Sequence, residues 1–541
     1  MPPIQLSRRL TAQDASFLYG ESESGPLHFG GLGFFEGAID FPCLVAHLER
    51  RLPLLPRFRQ RLPFAPFNLA HPTLEDDPDF KIENQLFCHE LAENAGEAQM
   101  TEAVLSIFEP PLDRTRPLWE MHLFRGLAGG RSAVLWKIHH CIVDGVSWVE
   151  ILTTLFDFRR DSSAAPAGLA WAPKPVPSAA RLLGDAAFDL AQTELNAARH
   201  LFERLIPAGQ KPGIADAATD AKKIMSALRP AVAAPWNRGL VTKTRSFAWL
   251  RYPYNDVRAI RKSFGGTVND VVLAALGEGA ARYLKHHGCK PRGLPLRIGC
   301  PVSVRSPDEM ESLGNRVSMM FAELEPEPMD PVARLSAVSN ETGRIKAANE
   351  PKALDQLMAA ADLMPPSLIG LASNFATGAL DTASWLAERA PWLARMIAPS
   401  PVINFIATNV RGPQLPAYLA GHMMLDYVGL IPLGADLGCG IVISTYNRNL
   451  YIALMAEPNL MPDVELMKAY VDDAFQELKL AAEEAAFKRA PAVMETQAQA
   501  ALRRLEMPFA SNGHVETAAA HKDAAGRIAD RLRRQVAAIT P

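Results

Sequence analysis

Two adjacent histidines followed by an aspartate and a glycine form the motif of this chain that is best suited to chemistry. They are His139, His140, Asp144 and Gly145, in the pattern His-His-x-x-x-Asp-Gly. A neutral imidazole, with an ordinary pKa of about 6.5, can take a proton from a nucleophile and return it to a leaving group at neutral pH. The motif therefore indicates general acid–base catalysis.

The motif begins where a predicted strand ends. Residues 131–140 form an extended run, and a helix is predicted from about Val146. Successive side chains of a strand point to opposite faces, so only one of the two histidines can address a substrate. By the same parity Cys141 lies opposite His140, and Ser147 lacks the second glycine of a nucleophile elbow. The sequence predicts direct group transfer without a covalent enzyme intermediate.

Two other interpretations of the histidine pair are open. Metal binding is disfavoured because neighbouring strand histidines diverge and Asp144 is the nearest carboxylate, so no metal site is predicted. In the second interpretation both histidines are buried and held by hydrogen bonds, without any chemical role.

The elements around the motif alternate between helices and strands, which is typical of an α/β fold. A helix is predicted over residues 41–52. Another is predicted from Val268 to Leu284, where Thr267 and Asp270 form a capping-box pattern and Gly288 is a stop signal. Further extended runs are predicted at 244–252, 294–304, 402–408 and 441–445.

The length of 541 residues favours two domains. We predict an N-terminal domain over residues 1–165, a linker with an amphipathic helical crossover over 166–234, a C-terminal domain over 235–490 and a helical tail over 491–541. The first boundary rests on a cluster of prolines, which cannot propagate a helix or a central strand: Pro166, Pro173, Pro175 and Pro177.

Composition narrows the class of protein. The 56 basic and 59 acidic residues nearly balance, so no nucleic-acid partner is expected. Six scattered cysteines without a Cys-x-x-Cys pair indicate a reducing compartment. The N-terminus shows no secretory signal, and the uncharged run 363–380 contains prolines that disfavour a spanning helix. These features predict a cytoplasmic protein.

The motif resembles that of the CoA-dependent acyltransferase superfamily, and more closely that of the bacterial wax ester synthase/diacylglycerol acyltransferases. The resemblance covers residues 8–160 and 235–475. One departure is Arg411, where the family usually has proline, and another is the loosely matching segment from Gly438. The other matching segments are Leu10–Leu18, Gly30–Leu32, Pro117–Glu120, Asn269–Ala274 and Gly314–Ser318.

The resemblance implies two chloramphenicol-acetyltransferase-like α/β domains with mixed sheets and a tunnel at their interface. His140 would lie in the tunnel as the general base, with His139 as an orienting residue. A long-chain acyl-CoA would enter from one side, and a fatty alcohol or a diacylglycerol from the other. The products would be wax esters or triacylglycerols, and no cofactor is implied because acyl-CoA is a substrate.

Other motif residues have weaker predicted roles. The resemblance implies a structural role for Asp144, with direct catalysis as the alternative. Arg57 and Arg59 are candidate partners, or are solvated, and Gly145 is predicted to give backbone room at the helix entry. Trp119 is interpreted as a tunnel wall or a core residue.

Asn269 and Asp270 are predicted to shape the substrate site, although Asn269 fits local hydrogen bonding at a helix start equally well. Four arginines could receive the CoA phosphates, with surface ion pairing as the alternative for each: Arg297, Arg305, Arg316 and Arg411.

Two apolar segments, 188–205 and 385–397, suggest peripheral docking on an inner membrane or a lipid droplet, and ordinary packing is the alternative. Two other functions compete with the acyltransferase. One is a non-catalytic lipid-binding or droplet protein that uses the same tunnel. The other is an amide-forming condensation domain, which shares the motif but needs carrier-protein partners, and no carrier motif is evident in the sequence.

Overall fold

The structure is a computed structural model, and its elements define two sheets with helices packed against them. Asp144, most of the predicted linker and the tail beyond Glu506 lie outside the described residues. The described residues are 9–63, 71–143, 145–160, 172–175, 177–178, 180–185, 188, 229–240, 242–303, 317–348, 401–434 and 437–506.

Helices and strands alternate along the chain, as the sequence predicted. The helices are α1 (Ala12–Gly20), α2 (Phe41–Arg51), α3 (Glu97–Phe108), α4 (Gly145–Leu155), α5 (Tyr254–Phe264), α6 (Val268–His286), α7 (Pro331–Ala347) and α8 (Val464–Glu506). The strands are β1 (His28–Phe35), β2 (Gln60–Arg61), β3 (Glu75–Asp76), β4 (Leu86–Ala95), β5 (Trp119–Leu127), β6 (Arg131–His139), β7 (Ser246–Pro253), β8 (Leu296–Ser303), β9 (Val317–Leu324), β10 (Phe405–Arg411), β11 (Tyr418–Leu419), β12 (His422–Leu430), β13 (Cys439–Tyr446) and β14 (Asn449–Ala456).

The first sheet has six strands in the order β11-β12-β1-β6-β5-β4. Strands β4 and β5 run parallel, and the other neighbours are antiparallel. Apolar side chains of α3 and α4, such as Val104 and Trp148, join the core that the sheet buries. The register pairs His28 of β1 with His139 of β6, so the motif begins beside the start of β1.

The second sheet also has six strands, in the order β7-β14-β13-β10-β8-β9. Strand β10 runs parallel to both β13 and β8, so this sheet is mixed as well. All residues of β13 are buried, as expected for a central strand covered on both faces. Helices α6 and α8 contribute apolar residues to this core, including Leu276 and Phe475.

Strands β11 and β12 cross between the two predicted domains. Although residues 418–430 fall within the predicted C-terminal domain, β12 pairs antiparallel with β1 and completes the first sheet. The domain prediction of residues 235–490 is therefore wrong for this hairpin. The physical reason is that β12 covers the backbone edge of β1, which would otherwise stay unpaired.

The two sheets contact each other through β12. Asp426 on β12 accepts hydrogen bonds from Arg251 of β7 (2.7 Å) and from the Tyr451 hydroxyl of β14 (3.0 Å). Gly429 on β12 lies so near β13 that a Cβ atom there would come within 2.4 Å of the Val442 side chain. The predicted interface between two α/β units is thus present.

Helix α6 shows how local sequence sets an element. The Thr267 side chain accepts from the Asp270 backbone N–H, and the Asp270 carboxylate accepts from the Thr267 N–H at 2.7 Å. This is the predicted capping box, and Gly288 after the helix has a φ of +66°. Among the helices of the described residues, none has the length and apolar character needed to cross a membrane.

Candidate active site

The His140 side chain lies directly after β6, between α1 and β1. Its ring stacks on Phe17 of α1, with centroids 4.2 Å apart and planes 12° apart, and it meets the edge of Phe29 of β1 at 5.3 Å. The residue is half-buried. Two aromatic side chains therefore fix the plane of the His140 imidazole, which is still partly exposed.

His139 has different surroundings, as strand parity predicted. The residue is fully buried, and its Nδ1 accepts a hydrogen bond from the Cys141 backbone N–H (3.2 Å). Its Nε2 lies 3.4 Å from the Glu21 carboxylate. The structure thus places the two histidines on opposite sides of the strand, with His139 directed into the protein.

Glu21 at the end of α1 was not anticipated from the sequence. Its carboxylate accepts from Arg114 (2.6 Å) and from the Leu27 N–H (3.0 Å), and the Leu27 carbonyl accepts from the His140 N–H (3.0 Å). Although burial raises the pKa of this carboxyl, contacts with His139, Leu27 and Arg114 outweigh burial and lower it to about 2. Glu21 is therefore an anion at neutral pH.

Cys141 is not placed as a nucleophile. The residue is fully buried, and burial raises the pKa of its thiol well above the ordinary range. Because the thiolate is the reactive form, this cysteine stays an unreactive thiol at neutral pH.

An aromatic cluster extends from His140 toward β12. Phe29 meets the edge of Trp148 on α4 at 5.9 Å, and the Trp148 indole N–H donates to the Tyr427 hydroxyl at 2.5 Å. Both Trp148 and Tyr427 are buried, and burial raises the pKa of the Tyr427 phenol. Through Tyr427, the C-terminal part of the chain reaches the surroundings of His140.

The opposite face of the first sheet carries buried polar groups around His139. Lys137 Nζ donates to the Ile107 carbonyl (2.8 Å) and the Pro110 carbonyl (2.6 Å), and His28 Nε2 lies 2.5 Å from the Phe108 carbonyl. Burial lowers the pKa of Lys137 to about 8. Burial, followed by the Lys137 charge, lowers the pKa of His28. Lys137 and His28 thus bind the carbonyls of Ile107 and Phe108 in the last turn of α3, where the Lys137 charge is favoured.

The remaining motif residues are only partly described. Gly145 begins α4, as predicted, and Asp144 lies outside the described residues. Arg57 Nη1 donates to the Ile142 carbonyl of the motif loop at 2.9 Å. The structural role of Asp144, and its pairing with Arg57 or Arg59, therefore stay predictions.

Trp119 lies in the core of the first domain. Its side chain is 2% exposed, packs on Phe58 with centroids 5.1 Å apart, and donates its indole N–H to the Phe58 carbonyl (2.8 Å). A ring with so little accessible surface has none to offer to an open tunnel. The structure favours the core interpretation of Trp119 over the tunnel wall.

Asp270 and Asn269 have separate positions. Besides its capping bond, the Asp270 carboxylate accepts from the Thr342 hydroxyl (2.8 Å), and the residue is 2% exposed. The prediction that Asp270 contacts substrate is therefore wrong, because its oxygens hold α6 and α7. Asn269 is half-buried and accepts from the Asn409 side chain of β10 (3.4 Å).

Arg297 cannot receive CoA phosphates. It is 1% exposed, donates to the carbonyls of Arg229 (2.6 Å) and Val402 (2.8 Å), and lies 3.3 Å from the Glu323 carboxylate. That prediction is wrong for Arg297, whose guanidinium is occupied inside the second domain. Arg411 is exposed, and the other two candidates, Arg305 and Arg316, lie outside the described residues.

The fold consists of two mixed β-sheets with helices packed against them, and a half-buried histidine lies at the end of an inner strand. These features define the class that the motif predicted, the CoA-dependent acyltransferase fold. Solved structures share this fold. A wax ester synthase/diacylglycerol acyltransferase from Marinobacter aquaeolei VT8 aligns over 88% of this chain and 100% of its own, with a TM-score of 0.57 and 23% identity. The first condensation domain of the CDA synthetase aligns over 88% of this chain and 97% of its own, with a TM-score of 0.53 and 15% identity.

Sequence comparison specifies the family. Residues 10–272 match the wax ester synthase/diacylglycerol acyltransferase catalytic domain, and residues 313–479 match the C-terminal domain of the same family. A probable diacylglycerol O-acyltransferase of Mycobacterium tuberculosis is 30% identical over 472 residues, which cover 87% of this chain and 95% of the relative. The chain belongs to the wax ester synthase/diacylglycerol acyltransferase family and is an acyltransferase.

Proposed function

We propose that this protein transfers a long-chain fatty acyl group from acyl-CoA to the hydroxyl of a fatty alcohol or a diacylglycerol, with His140 as the general base. The observation that carries the proposal is the placement of His140. Its ring is half-buried between Phe17 and Phe29, at a strand end, while His139 is directed into the protein. Membership of the family supplies the substrate class.

In this mechanism one imidazole serves both halves of the reaction. Neutral His140 takes the proton of the acceptor hydroxyl as the oxygen attacks the thioester carbonyl. The tetrahedral intermediate then collapses, the carbon–sulfur bond breaks, and the imidazolium returns its proton to the departing thiolate. The products are an ester and free CoA, and no covalent enzyme intermediate is needed. The buried Cys141 agrees with direct transfer.

The surroundings of His140 suit apolar substrates. Phe17, Phe29 and Trp148 form an aromatic wall that favours hydrocarbon over water. A dry site protects the thioester from hydrolysis and leaves the lipid hydroxyl as the nucleophile. The proposal includes a substrate tunnel at the interface of the two sheets, with Asn269 lining it from the second domain.

The proposal includes action at a membrane or lipid-droplet surface within the cytoplasm, because both acceptors are insoluble in water. Segments 188–205 and 385–397 are the proposed docking elements. Phe188, the described residue of the first segment, is 64% exposed. Flotation of the purified chain with phospholipid vesicles tests this part, and a chain that stays at the bottom of the gradient contradicts it.

The test of the chemistry is release of free CoA from palmitoyl-CoA in the presence of hexadecanol or dioleoylglycerol. We expect His140→Ala to lower kcat by roughly 10²- to 10⁴-fold, the usual contribution of a positioned general base. His286→Ala is a matched control, since it removes the first histidine of the other His-His pair, on α6, and should leave kcat unchanged.

Two results would contradict the proposal. Wild-type turnover by His140→Ala would remove His140 from the mechanism. Lipid binding by both proteins, with no turnover of either acceptor, would replace the acyltransferase with the lipid-binding alternative. An amine acceptor in the same assay separates ester formation from amide formation.

A further inference from the structure

The carboxylate of Glu21 connects three separate segments at the active site. Its side chain is 6% exposed, and it meets the Leu27 N–H, the Arg114 guanidinium and the His139 ring. Arg114 also donates to the Leu18 carbonyl (2.9 Å), which anchors this ion pair to the end of α1. A buried carboxylate with several charge-assisted hydrogen bonds is held in one geometry.

One path from Glu21 passes through the ring of His139. A neutral imidazole carries its proton on one nitrogen and accepts at the other. Because Nδ1 accepts from the Cys141 N–H, the proton of neutral His139 lies on Nε2, the atom 3.4 Å from the Glu21 carboxylate. The anion thus selects the tautomer of His139 that also binds the backbone just after His140.

A second path passes through the backbone of Leu27. The Leu27 N–H donates to Glu21, and the Leu27 carbonyl accepts from the His140 N–H at 3.0 Å. The two paths reach the chain at residues 139, 140 and 141. The Glu21 carboxylate therefore holds the backbone at His140 and at its two neighbours, His139 and Cys141.

We propose that Glu21 is a positioning residue for His140, acting through His139 and Leu27 without contacting substrate. The inference rests on the proposed function, since it assigns His140 as the base. Displacement of a catalytic group by about 1 Å is enough to cost on the order of 10²-fold in rate. Loss of Glu21 should therefore act on kcat and leave substrate binding largely intact.

The central experiment is kinetic, on the full-length chain carrying Glu21→Gln. The amide oxygen can keep the Leu27 bond, while the charge that orients His139 and pairs with Arg114 is lost. We expect kcat to fall roughly 10- to 100-fold while KM for palmitoyl-CoA changes by less than about threefold. Glu21→Asp keeps the charge and should retain an intermediate kcat.

A matched control separates positioning from general loss of structure. Glu278→Gln also removes a buried carboxylate that pairs with an arginine, Arg334, but does so in the second domain (2.9 Å). It should lower Tm and leave kcat within about twofold of wild type when assayed well below Tm. If Glu278→Gln lowers kcat as much as Glu21→Gln does, the positioning role is refuted.

The tautomer of His139 supplies a readout that does not depend on turnover. Side-chain ¹⁵N NMR should show His139 as the Nε2-protonated form in wild type, with its signal assigned by its loss in His139→Gln. Glu21→Leu, which removes the oxygen that faces Nε2, should shift that signal toward a mixture of tautomers. An unchanged tautomer together with wild-type kcat would overturn the proposal.

The outcomes for Glu21 and for the proposed function are distinguishable. If His140→Ala abolishes CoA release and Glu21→Gln does not lower it, only the positioning role fails. If wild type itself turns over no acceptor, the proposed function fails, and the NMR result still decides whether Glu21 orients His139. If Glu21→Gln does not fold, Glu21→Asp decides, and a kcat equal to that of wild type in that variant counts against the role.

Discussion

The two sheets of this molecule bury polar groups in different ways. In the part of the chain that the structure describes, the buried histidines are His28, His47, His122 and His139, and all of them precede residue 160. The second domain instead buries carboxylates and arginines, and its most buried ion pair is Glu278 with Arg334. Among the described residues, buried histidines are thus confined to the part of the chain that contains the motif.

The different buried groups suggest different roles: the first domain carries the chemistry, and the second domain acts as a scaffold. Perturbed titratable groups often lie where proton transfer is needed, and Lys137 lies on the strand that carries the motif while His28 lies on the neighbouring strand β1. The Glu278–Arg334 pair holds α6 to α7 and has no path to His140 among its described contacts. Two mutations that lower the free energy of unfolding equally, one in each domain, should therefore differ in their effect on kcat.

The largest expected effect on stability comes from the second domain. Arg334→Met leaves the buried Glu278 carboxylate without its main partner and should lower the free energy of unfolding by about 4 kcal/mol. Urea denaturation measures this loss, and kcat measured below the transition should stay near wild type. A folded variant with tenfold lower kcat would contradict the assignment of the second domain as scaffold.

A smaller, pH-dependent effect is expected for Lys137, whose pKa burial lowers from 10.5 to about 8. Between these two pH values the unfolded chain binds a proton that the folded chain does not, so the folded state gains stability as pH rises. The gain reaches about 3 kcal/mol above pH 10.5 and is lost as pH falls through 8.

The measurement compares wild type with Lys137→Met by urea denaturation across this range. The difference in unfolding free energy should rise with pH by up to about 3 kcal/mol. The difference between wild type and Arg334→Met should stay flat, because arginine keeps its charge throughout. A flat curve for Lys137→Met would show that burial of this lysine has no net cost.

The smallest expected effect compares one glycine from each sheet. A Cβ at Gly31 of β1 would lie 2.8 Å from the Tyr427 hydroxyl, whereas a Cβ at Gly299 of β8 would lie 3.3 Å from the flexible Met319 sulfur. Gly31→Ala should destabilise by about 2 kcal/mol, and Gly299→Ala should stay within about 1 kcal/mol of wild type. Equal Tm shifts in thermal unfolding would contradict the tighter packing around the site.

Local signals in the sequence predicted the elements well. The helix predicted over 268–284 is α6, and the extended run predicted over 131–140 is β6. Capping residues and apolar periodicity act over a few residues, so they can be read directly from the chain. The predicted divergence of His139 and His140 also holds, because strand geometry alone requires it.

Long-range pairing could not be predicted in the same way. Nothing in the sequence of β12 indicates that it pairs with β1. Glu21 was missed because a single glutamate after a helix has no diagnostic spacing. Its partners His139 and Arg114 lie about a hundred residues further along the chain. Asp270 and Arg297 were given substrate roles because a motif does not reveal burial.

The crossing of β12 has a consequence for how the protein is made. Strand β1 ends at Phe35, but its partner β12 begins at His422, so the edge of β1 stays open until most of the chain has left the ribosome. At typical rates of synthesis this delay is on the order of tens of seconds. The nascent first sheet is then an aggregation-prone intermediate, and chaperone binding during translation is expected to protect it.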